Sequence, residues 1–202
     1  MEQKTAEAVL LWVAVSNGLQ EGVVLSETEY SLGKNCCMTF AGIKPASLIT
    51  VRKNGRNDLE RLARCFCRRG FCFEILRENT DRLVVYVYHE QRLRSVLFSE
   101  EIYDFLYGLG YRYMDVGEAV ERLRERMQGD LFPHEVGVFL GYPLSDVKGF
   151  IADPQGGRPG YWKVYGNEEQ ALKIFSRYRK CSDCICRMMD GGKSLTAIFR
   201  VE

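Results

Sequence analysis

Apolar positions recur along this chain at two spacings, and the switches between them predict its elements. Residues 6–16 hold an apolar run at helical spacing that closes at Asn17-Gly18. A polar stretch with Gly22 and Gly33 then leads to the adjacent pair Cys36-Cys37. Residues 47–52 read as a short strand. Asn57 with Glu60 three positions on has the form of a capping box, in which side chains satisfy the free amides of a first helical turn. Gly70 suits the stop of that helix, since glycine takes the left-handed conformation a helix end often needs. Residues 71–77 and 83–89 read as a strand pair around a turn at 79–81. The run Leu83-Val84-Val85-Tyr86-Val87-Tyr88 lacks polar alternation, as a central strand would.

Helical spacing returns at 90–97, 99–108 and 115–128. In the last of these Ala119, Val120, Leu123 and Met127 share one face, while charges of alternating sign mark a solvated one. Over 132–151, Pro133 suits a helix start, Gly141 its stop, and Pro143 a second short helix. Residues 153–160, rich in glycine and proline, form a surface loop. Residues 162–165 read as a strand, Asn167 with Gln170 caps a long helix, and 194–201 read as a last strand. The interleaving predicts an α/β or α+β fold, a single domain over residues 1–202 with a mixed sheet of about five strands packed by helices.

Composition narrows the class. With 46% hydrophobic and 27% charged residues in 202, the chain can bury a substantial core, which excludes disordered and low-complexity readings. Lys and Arg number 28 against 27 Asp and Glu, so no sequence-wide field favours nucleic acid or an anionic membrane. The apolar run at 8–15 is too short to span a bilayer. Its flank carries Glu2 and Glu7 against Lys4, the reverse of an export signal. Eight cysteines are too sparse for a disulfide scaffold and point to a reduced, cytoplasmic setting.

The stretch Phe-Pro-His-Glu-Val-Gly-Val-Phe-Leu-Gly-Tyr-Pro-Leu-Ser-Asp-Val-Lys-Gly-Phe-Ile at 132–151 resembles a family of uncharacterised proteins, mainly of anaerobic Firmicutes, known as domain of unknown function family 3793. The resemblance extends to Gly160-Tyr161-Trp162-Lys163-Val164-Tyr165-Gly166, to Ala41-Gly42-Ile43-Lys44-Pro45-Ala46-Ser47-Leu48 and to Arg177-Tyr178-Arg179-Lys180-Cys181. It implies membership over nearly the whole chain. In the family pattern a cysteine in a Cys-Ala-Pro-Thr context precedes the Ala-Gly-x-Lys-Pro-Ala segment, which places its counterpart at Cys36. Here that stretch reads Cys36-Cys37-Met38-Thr39, without the proline. The resemblance implies no activity and at most a link to metal or redox physiology.

Three sets of residues are candidates for chemistry. A thiol at Cys36 or Cys37 becomes a strong nucleophile if a base is close, and His134, oriented by Glu135 or Asp146, is the candidate base. The plainer reading makes these an ordinary first turn and a small buried hydrophobe. Cys181 and Cys184, three apart on a helix, share a face and could hold a metal ion, the candidate cofactor. The plainer reading is packing. Lys44, Tyr142, Lys148, Trp162 and Lys163 mix cations with aromatics, as a surface for an anionic or planar ligand does, although strand aromatics are more often core. No dinucleotide fingerprint, phosphate loop or hydrolase elbow occurs. The stretch Asp190-Gly191-Gly192-Lys193-Ser194 imitates a phosphate loop but lacks its first glycine. The expectation is a thiol-dependent or small-molecule-binding protein centred on Cys36, Cys37 and His134. The alternative is a noncatalytic module that responds to metal or binds a protein partner.

Overall fold

A computed structural model describes residues 25–201; the helix expected over 6–16 lies outside them. In chain order the elements are α1 (Glu27–Phe40), β1 (Ala46–Arg52), α2 (Arg56–Cys67), β2 (Phe71–Glu78), β3 (Arg82–His89), α3 (Glu90–Leu97), α4 (Glu100–Gly108), α5 (Val116–Met127), α6 (Val136–Phe139), α7 (Leu144–Ala152), α8 (Glu168–Asp190) and α9 (Leu195–Phe199). The strands form an antiparallel sheet in the order β1-β3-β2. The fold is therefore mixed α+β, and the sheet has three strands among the described residues instead of about five.

Both missing strands have a local explanation. Ser194 accepts the Ala197 amide and opens α9, so Leu195, Ile198 and Phe199 bury one helical face where a strand was expected. Trp162 and Val164 are buried with strand-like alternation. Their backbone contributes only an isolated bridge between Arg158 and Val164, because the segment is held by a side chain described below.

The reverse error occurs at α1. Its sequence reads as a polar connection broken by Gly33, yet Ser26 caps it through the Glu29 amide. Thr28, Leu32, Cys36 and Phe40 then fall at four-residue steps on its buried face. A side chain at position 33 would collide with Met189 of α8, so the glycine marks a close helix crossing. The capping box expected at Asn57 is not formed: α2 starts at Arg56 with Gly55 as its cap and no side-chain cap bond. Gly70 is left-handed, as expected, and Asp115 and Asn167 cap α5 and α8 through Glu118 and Gln170.

Helices cover both faces of the sheet. Ile49, Val51, Leu83, Val85, Val87 and Phe71 point toward α1, α2, α8 and α9. Ala46, Tyr86, Tyr88 and Leu76 point toward α3 through α7. The Tyr86 hydroxyl donates to the Phe139 carbonyl at 2.7 Å, which pins α6 over this second face beside the edge strand β1.

Candidate functional site

Helices α6 and α7 are joined by a tight corner at 140–143. Gly141 is left-handed, and a side chain there would also run into the Pro45 ring, about 2.5 Å from its Cδ. The corner therefore sits against the segment that leads into β1. In α7, the buried carboxylate of Asp146 accepts three hydrogen bonds: Trp162 Nε1 at 2.7 Å, Tyr165 N at 2.8 Å and Gly166 N at 2.7 Å. This one side chain draws the segment 162–166 over α7 and fixes the plane of the Trp162 indole. Tyr142 stacks on that indole with ring centres 4.9 Å apart.

Between these parts lies a cavity of about 380 Å³. Leu48 of β1, Val136, Leu140 and Val147 form its floor, and Tyr142 and Trp162 one wall. Phe132, His134 and Phe150 form the other, with the imidazole edge-on to Phe150 at 5.0 Å and tilted against Phe132 at 5.9 Å. Lys163 lies at the lining, its ammonium donating to the Pro154 carbonyl. The cavity is thus overwhelmingly apolar, with an imidazole, an ammonium and a hydrogen-bonded carboxylate as its polar groups.

The structure brings His134, Asp146, Tyr142, Trp162 and Lys163 together and leaves other candidates elsewhere. Cys36 and Cys37 are fully buried in the core on the other face of the sheet, away from His134. Burial pushes the Cys36 thiol up to about 12, the wrong direction for a nucleophile at neutral pH. Glu135 turns inward to Arg126, with which it is ion-paired, and accepts the Tyr111 hydroxyl at 3.0 Å, so it does not orient the neighbouring imidazole. Lys148 points to the far side of α7, its ammonium 5.6 Å from the Phe105 ring centre.

Cys181 is buried against α1, where its thiol and that of Cys37 share a hydrogen bond that draws Cys37 down and, with burial, holds Cys181 well above the usual thiol range. Cys184 is half-buried nearby. Among the described residues, no group of three or more His, Cys, Asp or Glu comes together as metal ligands. Lys44 is not part of the cavity lining. Its side chain is nine-tenths buried, and its ammonium stands 5.6 Å from the Tyr142 ring centre and 5.9 Å from that of Tyr178. Burial lowers it to about 8, partly offset by Cys36 and Cys37.

Sequence reasoning missed the apolar lining. Phe132 and Phe150 flank the 132–151 stretch, and their spacing carries no helical or strand signal. Phe132 stands directly before Pro133, and that was the one sign the sequence offered; its half-exposure is visible only in the structure. No helix among the described residues is long and apolar enough to cross a membrane. No curated protein and no solved structure matches the chain. The model of the family described as "Protein of unknown function (DUF3793)" matches residues 32–199, and the chain belongs to that family.

Proposed function

We propose that this protein binds a small, largely apolar molecule with a flat ring in the cavity between β1, α6, α7 and the 162–166 segment. The observation that carries the reading is the cavity itself, whose roughly 380 Å³ falls within the range of small-molecule sites and whose lining has their character: aromatic walls with a few convergent polar groups. The Tyr142–Trp162 stack and the Phe132, His134 and Phe150 cluster offer ring faces and edges to a planar guest. Lys163 and His134 favour a guest with an acceptor or anionic group. The thiols take no part in this reading; eight free cysteines support a reducing, cytoplasmic setting for the protein.

The test uses 1-anilinonaphthalene-8-sulfonate, which combines flat rings with an anionic group, titrated by fluorescence into the full chain in its native state. Saturable one-to-one binding is expected. Leu48→Trp, on the edge strand where an aromatic suits the backbone, extends into the cavity and is expected to weaken binding at least tenfold. Absence of saturable binding, or equal binding by a folded Leu48→Trp variant, overturns the reading.

A further inference from the structure

Among the described residues, Lys44 is a buried cation with no carboxylate partner. Among the described residues it forms no ion pair, and no hydrogen bond of its ammonium is found; its neighbours are the Tyr142 and Tyr178 rings and the Cys36 and Cys37 thiols. Buried lysines are normally paired, because desolvation of an ammonium is expensive. Ring faces recover part of that energy, and the remainder favours the neutral amine, the nucleophilic form.

The backbone leaves the side chain little choice. The Ile43 and Lys44 amides both donate to the Met38 carbonyl at the end of α1, and Pro45 is locked against Gly141. Lys44 is thus held where a flexible surface lysine would swing into water, yet it retains about 9% of its surface, a narrow approach for a small reagent. The ring faces carry negative charge density, so the approach disfavours anions and admits uncharged molecules.

We infer that Lys44 is a covalent site for small, uncharged aldehydes and ketones, which its amine captures as an imine. The Nζ lone pair attacks the carbonyl carbon, whose π bond opens to a carbinolamine. The carbinolamine hydroxyl then leaves as water, taking up a proton from solvent as the nitrogen loses one. One carbonyl compound and one amine give one imine and one water, with no change of oxidation state. The groups that face the amine and shape its titration are Cys36 and Cys37 of α1, Tyr142 of the α6–α7 corner and Tyr178 of α8. The inference is independent of the cavity, whose lining does not include Lys44.

Propionaldehyde with cyanoborohydride, which reduces the imine to a stable secondary amine, tests this on the full chain at pH 7.5. Peptide mass spectrometry reads labelling at Lys44 against Lys173, whose side chain is 72% exposed. An amine titrating near 8 is neutral about 200 times more often at this pH than an ordinary lysine. Restricted access removes part of the advantage, and labelling of Lys44 is expected to be at least tenfold faster than that of Lys173. Its rate should level off above about pH 8.5, while that of Lys173 keeps rising. Lys44→Arg keeps the charge and should abolish labelling of that peptide alone. Labelling of Lys44 no faster than Lys173, or only after unfolding in urea, overturns the inference.

Discussion

The two faces of the sheet are built from the same three strands and end in different states. On the face covered by α1, α2, α8 and α9, Phe40, Phe66, Phe71 and Phe199 interlock with ring centres 4.3 to 6.1 Å apart, and the thiols fill the gaps. On the other face, Tyr86 and Tyr88 lie at the centre of the sheet under well-packed helices, but beside β1 the cover consists of the short α6, the corner at Gly141 and α7. That short cover leaves the cavity lined by Leu48, Val136, Leu140 and Val147. The difference teaches that burial of both faces does not imply equal packing. Candidate chemistry belongs where short helices meet in a corner and a connecting segment, since connections held by a rigid frame carry many binding sites.

The sharpest way to break this comparison is to remove a ring from the sealed face. Phe66→Ala deletes a fully buried side chain and should lower stability by about 4 kcal/mol, read from urea unfolding. A loss below about 1 kcal/mol would show that this face is loosely packed too. Next in size is Asp146→Ala, which strands an indole N–H and two amides. Each unmet donor costs about 1 kcal/mol or more, so a total near 3 kcal/mol is expected, together with faster hydrogen exchange confined to the 153–166 segment. Uniform exchange across the molecule would show instead that the segment has no separate stability.

Lys44→Met comes third and has the opposite sign. The folded-state value near 8 lies below that of the free side chain, so between the two the unfolded chain holds the extra proton and stability climbs with pH. The gain is about 1 kcal/mol from pH 7 to 9. From about pH 8 upward it is increasingly opposed by Cys36, whose thiol, raised to about 12, stays protonated in the folded state while the unfolded thiol ionises. The methionine variant should be more stable than the parent at pH 7 by about 2 kcal/mol and should lose the rise between pH 7 and 9. A rise that persists in the variant would assign it to another group.

The smallest effect on stability is expected from Phe132→Ala. Its ring is half-exposed, and surface changes of this kind usually lie within about 0.5 kcal/mol. Binding of the fluorescent sulfonate should nevertheless weaken several-fold, because the variant removes a wall of the cavity. The contrast with Phe66→Ala, one phenylalanine holding the fold and the other the guest, is what the two faces predict.

Much of the fold was legible in the chain. The central position of β3 followed from its unbroken apolar run, the hairpin from the turn at 79–81, and the starts of α5 and α8 from Asp115 and Asn167. Of the candidate site, the stretch 132–151 and the residues Tyr142, Asp146, Trp162 and Lys163 were singled out, and the structure gathers these in one place. Pairing of Cys36 or Cys37 with His134 was not readable. The distance between residues about a hundred positions apart depends on which face of the sheet each supporting element covers.

Part of the local chemistry, then, was settled by sequence: the caps at Asp115 and Asn167, the stop at Gly70 and the turn at 79–81 act over a few residues, whereas the capping box expected at Asn57 did not form. Tertiary structure alone decided that Gly33 marks a helix crossing instead of a break. The same holds for Asp146, which gathers a distant segment and borders a cavity. These outcomes depend on which surfaces meet, and the free energy of such a meeting belongs to both partners, so neither stretch encodes it by itself.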